Sequence, residues 1–309
     1  MPFFGRQGIL AKTAAAAAGG TIANYWHSSS ATQSSVFAVP AFGNNTVQWS
    51  DTNEFTLMIW YRAYQTPTAY TSGDIKGDNW YPVRFGWSDS PNLSGFAINS
   101  GAGPYNSGNS SRTLQGSHLS KNSNFGSATY VAASNAELGI DGSWHQLMIV
   151  IDCDDSSHRI WFDGVEKTYT SKSSSTTFNF ATIKWFAFGA YLSNASPSSG
   201  NPTLSPINSH TVDIGPCAIW FSDINPQDDV SKWYDSANTD GYVHLGTDGT
   251  ASGLTQPSVY GYVDSNGVVQ NGGSLTSVTV VELSAGAATV TKVTDGTGPG
   301  SGDTRSTAY

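Results

Sequence analysis

Charged side chains are scarce in this sequence of 309 residues. Asp, Glu, Lys and Arg together make up 12% of it, about half of the ~25% that is usual for soluble domains. Only 14 residues are Lys or Arg, they form no basic run, and the formal net charge is −9. Because binding to a phosphate backbone requires clustered cations, we expect no nucleic-acid partner.

Cysteine is also scarce, and Cys153 and Cys217 are the two examples. Two thiols are too few for the disulfide framework of a small secreted domain. A zinc site needs more Cys or His at short spacing than the six scattered histidines provide. We expect two buried free thiols. The alternative is one disulfide, which requires the strands that flank the two residues to be neighbours.

Long apolar runs are missing as well. No stretch approaches the ~20 apolar residues of a membrane-spanning helix, so we expect no membrane partner. The first 20 residues do not predict a signal peptide, because glycine and basic residues interrupt them and their alanine run is too weakly apolar. We interpret residues 1–20 as an extended N-terminal arm that packs against a neighbouring subunit, with Phe3 and Phe4 as apolar plugs and Arg6 as a polar clamp. The alternative is an arm that folds back on its own domain.

Catalytic signatures are absent from the sequence. There is no G-x-S-x-G, P-loop or H-E-x-x-H motif. The four glutamates are too far apart in sequence for any two to share a strand. Asp152 and Asp154 would share a strand face, but the adjacent Asp155 and Ser156 favour a solvated turn. We therefore predict that the protein is not an enzyme and carries no cofactor.

What the sequence does contain is a series of strand-like segments. The clearest one, residues 142–169, holds the apolar run LMIVID and a second run, RIWFDG, which turns at Asp163-Gly164. This dipeptide suits a tight hairpin. Loops rich in Gly, Ser, Asn and Pro separate similar aromatic or β-branched runs at residues 55–64, 80–88, 95–99, 128–133, 183–192 and 212–221. Short strands at such intervals are typical of an all-β sandwich.

Composition divides the chain into an arm at residues 1–20, a sandwich domain at residues 21–262 and a C-terminal hairpin and tail at residues 263–309. One short helix is predicted within the domain at residues 225–237, where an Asn can cap it and a Pro suits its first position.

The C-terminal hairpin is predicted from the alternating pattern of residues 277–295, with Ser284-Ala285-Gly286 near its turn. The segment between the domain and this hairpin is rich in turn residues and is interpreted as a linker. The Gly- and Ser-rich end has no core-forming capacity and predicts a tail.

Residues 142–169 resemble the central strands of concanavalin A-like jelly rolls. The laminin-G and pentraxin-like members carry G-x-W-H-x-(apolar)n-D followed by an aromatic strand that ends in D-G. Here Trp144-His145 matches the first pair and Asp163-Gly164 matches the turn. The resemblance covers about residues 36–222 and implies a jelly-roll sandwich, in which we interpret both pairs as architecture.

The resemblance also implies candidate ligands. Glycoside hydrolases of this superfamily carry E-x-D-x-x-E, which is missing here. Sugar-binding members stack an exposed aromatic ring on a sugar, for which Trp80 and Tyr105 are the candidates; the alternative is that both rings fill the core. Calcium-binding members use oxygen atoms of loop residues. The corresponding candidates here are Asp51, Asn53, Asp74, Asp78 and Asn79, and the alternative is that these residues form simple turns.

Residues 229–262 are similar to a run that follows the same jelly roll in tailed-bacteriophage virion proteins. The matching positions are Gly241, Val243, Leu245, Gly246, Asp248, Gly249, Thr250, Gly253, Pro257 and Tyr260. This resemblance implies a structural protein of the virion, assembled in the host cytoplasm: a capsid decoration, cement or tail subunit. Such a protein forms a homo-oligomer and contacts other virion proteins. The alternative is a carbohydrate- or receptor-binding, lectin-like module of a phage tail fibre or spike that binds a surface glycan.

Overall fold

The computed structural model describes residues 21–28, 35–40, 54–63, 79–87, 93–99, 112–117, 128–132, 136–152, 157–168, 171–172, 183–188, 212–222, 224, 226, 228–276, 278, 280–284 and 291–293. These residues form 17 β-strands in two antiparallel sheets, with single turns of 3-10 helix at Ala136–Leu138 and Val230–Lys232. No helix in this part of the chain has the length and apolar character that a membrane crossing requires.

The first sheet has nine strands, two of which branch from its main path. The order along the main path is β10 (Val165–Lys167), β9 (Ser157–Phe162), β8 (Trp144–Asp152), β3 (Glu54–Ala63), β13 (Val212–Trp220), β1 (Tyr25–Ser28) and β17 (Thr291–Val293). The branch leaves β13 through β14 (Val259–Val263) and ends with β15 (Val269–Asn271).

The second sheet has eight strands. Their order is β11 (Ser171–Lys172), β7 (Ala128–Ala132), β6 (Arg112–Ser117), β5 (Leu93–Asn99), β4 (Asn79–Trp87), β12 (Ile183–Phe188), β2 (Ser35–Pro40) and β16 (Val281–Ser284). Neighbours that are distant in sequence, such as β3 with β13 and β2 with β12, show that the chain crosses repeatedly between the sheets. This arrangement confirms the predicted all-β, concanavalin A-like jelly-roll sandwich.

The main hydrophobic core lies between the two sheets. Alternate residues of β3, including Phe55, Leu57 and Ile59, point into it and are fully buried. The paired strand β8 contributes Leu147 and Ile149 to the same core. Period-2 alternation places these side chains on one face, which is why the sequence pattern is sufficient to assign them to the core.

A second hydrophobic core covers the other face of the first sheet. The intervening β3 residues Met58 and Trp60 are fully buried there, beneath Trp233, Tyr242 and other residues of the segment that follows β13. We call residues 228–257 of this segment the outer layer. Because β3 is covered on both faces, its sequence is almost continuously apolar. Truncating a side chain such as Trp60 to Ala is expected to cost about 3–5 kcal/mol.

The short helix predicted at residues 225–237 is replaced by the three-residue 3-10 turn Val230–Lys232. Asp229 before it has an extended backbone, with φ −164° and ψ 83°. Trp233 is instead held by its indole Nε1, which donates to the Pro226 carbonyl at 3.0 Å, and Tyr234 forms a bridge to Tyr242. Packing against the sheet therefore overrides the local helix signal.

The C-terminal strands also differ from the prediction. β16 and β17 lie within the predicted hairpin, but β16 pairs with β2 in the second sheet and β17 pairs with β1 in the first. The turn-rich segment before them, interpreted as a linker, instead closes the hairpin of β14 and β15. Asp264 accepts hydrogen bonds from the amides of Asn266 and Val268 in that turn, at 2.9 Å each.

Candidate functional site

Two clefts open beside the outer layer, and the short segment Thr21–Asn24 runs between them. The amide of Ile22 donates to Oδ2 of Asp240 at 3.3 Å, which ties this segment to the outer layer. Asp240 lines one cleft, and Ile22 and Asn24 line the other. The two clefts are therefore adjacent.

A row of three polar side chains and one tryptophan crosses four strands of the first sheet, and its Arg62 and Trp144 line the first cleft. Sheet register places His27 opposite Asp213, Asp213 opposite Arg62 and Arg62 opposite Trp144. The fully buried Asp213 carboxylate lies 2.6 Å from His27 Nδ1 and 2.7 Å from Arg62 Nη2. A charge buried in this way needs such partners, because an isolated one would be strongly destabilising.

Arg62 is fixed further by two aromatic rings. Its guanidinium carbon lies 5.1 Å from the ring centre of Tyr25 and 4.9 Å from that of Trp144. Its Nη2 also donates to the Tyr25 hydroxyl at 3.0 Å. The Arg62 side chain is 22% exposed and lines the first cleft. Its guanidinium group is therefore bound to Asp213 and the two rings but remains partly accessible from the cleft.

The first cleft, which we call the polar cleft, has a volume of about 420 Å³. Hydroxyl, amide and charged groups dominate its wall. It is lined by Arg62, Gly142, Ser143, Trp144, His145, Asp163, Tyr234, Ser236, Asn238, Thr239, Asp240 and Gly241.

His145 stands in the wall of this cleft between two carboxylates. Its Nδ1 lies 2.6 Å from Asp163 Oδ2, and its Nε2 lies 2.9 Å from Asp141 Oδ1. Burial by itself lowers the pKa of this imidazole, but the hydrogen bonds and charges of the two aspartates outweigh it and raise the pKa to about 9. Burial by itself raises the pKa of Asp141, but the hydrogen bond and charge of His145, together with hydrogen bonds from Ser143, outweigh it and lower that pKa.

The same contacts join the two residue pairs that carry the family resemblance. Asp163 has a positive φ of 49° and Gly164 follows at 74°, as a tight hairpin turn requires. From this turn, the Asp163 carboxylate reaches both the His145 ring and the amide of Gln146, the latter at 2.8 Å. Trp144-His145 and Asp163-Gly164 therefore form one structural unit, in agreement with their interpretation as architecture.

The second cleft, which we call the tyrosine cleft, has a volume of about 530 Å³. Its wall combines aromatic rings with small polar side chains. It is lined by Thr21, Ile22, Ala23, Asn24, Pro216, Tyr242, His244, Gly246, Thr247, Tyr260, Tyr262, Val263, Asp264, Ser265 and Gln270.

Three tyrosines build the aromatic part of the tyrosine cleft. Tyr242 and Tyr260 are buried and share a hydrogen bond between their hydroxyl groups. The ring of Tyr262 is half-buried and packs on that of Tyr260, with centroids 5.2 Å apart and planes inclined by 31°. The two buried tyrosines thus hold the Tyr262 ring in place at the cleft wall.

The polar groups of the tyrosine cleft are mainly acceptors. Oδ1 of Asn24 is buried and has no hydrogen-bond partner among the described residues. Oδ1 of Asp264 accepts from backbone amides in its turn, while its Oδ2 accepts from Gln270 Nε2 at 2.9 Å. Nδ1 of His244 accepts from the Gly246 amide at 3.1 Å.

The sequence-predicted site residues lie almost wholly outside the region that the structure describes. This holds for Phe3, Phe4, Arg6 and Tyr105, and for the calcium candidates Asp51, Asn53, Asp74 and Asp78. Trp80 and Asn79 lie in β4, where backbone register pairs them with Ile98 and Asn99, and their side chains are not described. The described residues contain no group of three or more His, Cys, Asp or Glu that could hold a metal ion.

The residues of the tyrosine cleft were not predicted as a site. Tyr260 was recognised only as part of the run at residues 229–262, and nothing in the sequence connects it with Asn24. The glycines that match in this run have a structural role: Gly241, Gly246 and Gly249 adopt φ of 67°, 77° and 82°. They allow the outer layer to turn tightly as it covers the sheet.

Cys217 is a buried free thiol in β13. Burial raises the pKa of its thiol well above the usual value, and the thiol donates to the Gly215 carbonyl at 3.4 Å. This agrees with the expected free thiol for Cys217. Cys153 lies outside the described residues.

No protein-family model matches this chain, and no curated protein does. Among solved structures, it is similar to a heptameric SAP-like pentraxin from Limulus polyphemus, with 9% identity, a TM-score of 0.40 and coverage of 67% of this chain and 81% of the pentraxin. It is also similar to the IT-sialidase CBM40 of Ruminococcus gnavus, with 8% identity, a TM-score of 0.40 and coverage of 67% and 96%.

A third similarity is to a Trypanosoma rangeli sialidase, with 12% identity and a TM-score of 0.39, where the match covers 70% of this chain but only 28% of the sialidase. The fold of this chain rests on the sheet order described above. The chain is an all-β jelly-roll sandwich of two antiparallel sheets.

Proposed function

We propose that this protein is a lectin-like module that binds a glycan in the tyrosine cleft. The observation that carries the proposal is the half-buried Tyr262 ring, which packs on Tyr260 in the wall of a cleft that polar side chains also line. An aromatic face suits the apolar face of a sugar ring, and fixed polar groups beside it suit the hydroxyl groups at the ring edge.

The size and chemistry of the cleft support this proposal. A volume of about 530 Å³ lies within the range of small-ligand sites. The half-buried Tyr262 provides aromatic surface, while Thr21, Thr247 and Ser265 at the same cleft provide hydroxyl groups. In the polar cleft the Trp144 ring is 7% exposed and is covered by Arg62, which leaves Tyr234 as its half-buried aromatic residue.

The test is a glycan array followed by titration calorimetry with a glycan that binds. Tyr262→Ala should weaken binding about thirtyfold, since truncating an aromatic anchor costs about 2 kcal/mol or more. Tyr234→Ala is the matched control, because Tyr234 is also half-buried but lines the polar cleft. Unchanged affinity of Tyr262→Ala would refute the site, and a loss on Trp80→Ala alone would place binding at the sequence-predicted aromatic.

We also propose that the role is binding rather than catalysis. The support comes from the polar cleft, where both ring nitrogens of His145 are engaged by Asp141 and Asp163. Such a histidine has no free nitrogen to act as a general base. An assay of the protein with glycans that it binds should therefore release no reducing sugar, and turnover that Asp163→Asn abolishes would contradict this proposal.

The virion assignment is a second proposal, and the outer layer is the feature that favours it. The matching residues from Gly241 to Pro257 lie in this layer, and its Leu245 enters the second core together with Tyr260 of the adjacent β14. In this reading the protein is a structural subunit of a phage particle that forms a homo-oligomer, and the glycan-binding cleft is displayed on the virion. Its test is co-purification with assembled particles at a fixed copy number, and absence from purified particles would refute it.

A further inference from the structure

The charged side chains around the tyrosine cleft are negative. Asp264 lines the cleft, and Asp248 adjoins its lining residue Thr247. The charges of both aspartates raise the pKa of the Tyr262 phenol, after the larger effect of burial, so both lie within electrostatic reach of that ring. Each carboxylate accepts hydrogen bonds that lower its pKa, so each is ionised at neutral pH.

No described cation balances this charge inside the cleft. Its lining residues include neither Lys nor Arg. The Nδ1 atom of His244, which also lines the cleft, accepts a hydrogen bond from the Gly246 amide at 3.1 Å. Arg62 faces the adjacent polar cleft and is engaged by the Asp213 carboxylate.

The hydrogen-bonding groups act in the same direction as the charge. The carboxylate oxygens of Asp248 and Asp264 can only accept hydrogen bonds. Sugar hydroxyl groups donate, whereas the carboxylate of a sialic or uronic acid and a sulfate group bring further acceptors and a negative charge. An anion entering this cleft would lose hydration without meeting a cation.

We propose that the tyrosine cleft selects uncharged glycans and rejects acidic ones, with Asp248 and Asp264 as the specificity-determining residues. This rests on the proposed function, because it names the class of glycan that the same site takes. Repulsion between exposed charges is screened by salt over about 8–10 Å at ionic strengths of 0.10–0.15 M, so the discrimination is strongest at low salt.

The experiment uses matched glycan pairs that differ by one acidic group, such as lactose and 3′-sialyllactose, on an array and then in calorimetry at 20 mM and 500 mM NaCl. We expect the acidic glycan to bind about threefold to tenfold more weakly than the neutral one at 20 mM NaCl, because the partly screened carboxylates of Asp248 and Asp264 repel its negative charge. At 500 mM NaCl this difference should shrink.

Asp248→Asn and Asp264→Asn, alone and combined, test the two residues directly. Each keeps the Oδ1 atom that accepts the backbone hydrogen bond but removes the charge. Asp235→Asn is the matched control, since its Oδ1 accepts the Ala237 amide in a similar turn and it does not line the tyrosine cleft. Asp248→Asn and Asp264→Asn should reduce the difference in affinity between the neutral and the acidic glycan of a pair, whereas Asp235→Asn should leave it unchanged.

The outcomes separate this inference from the proposed function. Binding of the acidic member as tight as that of the neutral member at 20 mM NaCl, with both lost on Tyr262→Ala, would overturn the charge selection and leave the glycan site standing. If the protein prefers neutral glycans and the double variant Asp248→Asn/Asp264→Asn keeps that preference unchanged, these two residues do not determine the specificity. Failure of every neutral and acidic glycan to bind would refute the proposed function and the inference together.

Discussion

The position of His145 between two aspartates makes a quantitative prediction for the pH dependence of stability. The imidazole is only 13% exposed and contacts Asp141 and Asp163 through its two nitrogens. These contacts raise its pKa from 6.5 to about 9, against the opposing effect of burial. The folded state therefore favours the protonated ring.

The sign and size of the effect follow from this shift. A group whose pKa is raised on folding contributes its full stabilisation below its unfolded pKa, here 6.5, and loses it as the pH rises through its folded value. Each unit of difference corresponds to 1.36 kcal/mol, so the folded protein should lose about 3 kcal/mol of this contribution between pH 6.5 and pH 9.

Urea denaturation between pH 5.5 and 9.5 provides the measurement, with the wild type compared to His145→Gln. The difference in free energy of unfolding between the wild type and the variant should be largest at pH 6. It should decrease by about 3 kcal/mol between pH 6 and pH 9. His244→Gln, which changes an exposed histidine, should keep the pH profile of the wild type. An excess that is constant or grows with pH would refute the reasoning.

Three further predictions concern stability and reactivity. Gly241→Ala should destabilise the fold by about 2 kcal/mol or more, measured by urea denaturation, because φ is 67° there and a Cβ would collide with the Tyr234 ring; Ser236→Ala on the exposed surface serves as control. Asp213→Asn should cost about 3–5 kcal/mol in the same assay, since it removes the buried carboxylate charge that contacts both His27 and Arg62, and a loss below 1 kcal/mol would contradict that account. In a Cys153→Ser background, the remaining thiol should react with Ellman's reagent only after denaturation, because Cys217 is buried; rapid labelling of the native protein would contradict this.

Much of the fold could be predicted from local pattern. The alternation in β3 and β8 and the Asp163-Gly164 turn identify strands and a hairpin, because side-chain period and turn conformation depend on adjacent residues. The helix at residues 225–237 was predicted wrongly for the same reason. Capping residues indicate a local preference for helix, but the burial of Trp233 against the sheet stabilises the observed conformation by more than that preference.

The candidate sites could not be predicted in the same way. The aromatics chosen from the sequence, Trp80 and Tyr105, were selected because they lie near predicted loops. The tyrosine cleft instead joins Asn24, which precedes the first strand, to Tyr262 near the end of the domain. No local pattern marks such a pair, because the two residues meet only when β14 docks on β13 beside β1.

Composition and local pattern are sufficient to predict an all-β sandwich without recognisable catalytic motifs or basic clusters. These conclusions depend on composition, on period-2 alternation and on turn residues, all of which are local properties. The interpretation of Trp144-His145 and Asp163-Gly164 as structural pairs rests on the family resemblance. The tertiary structure was needed to show that β16 and β17 join different sheets, that Asp141 and Asp163 raise the pKa of His145, and that three tyrosines and Asn24 share one cleft. Contacts of this kind depend on which strands become neighbours, and that choice is made by the burial of whole faces rather than by any short segment.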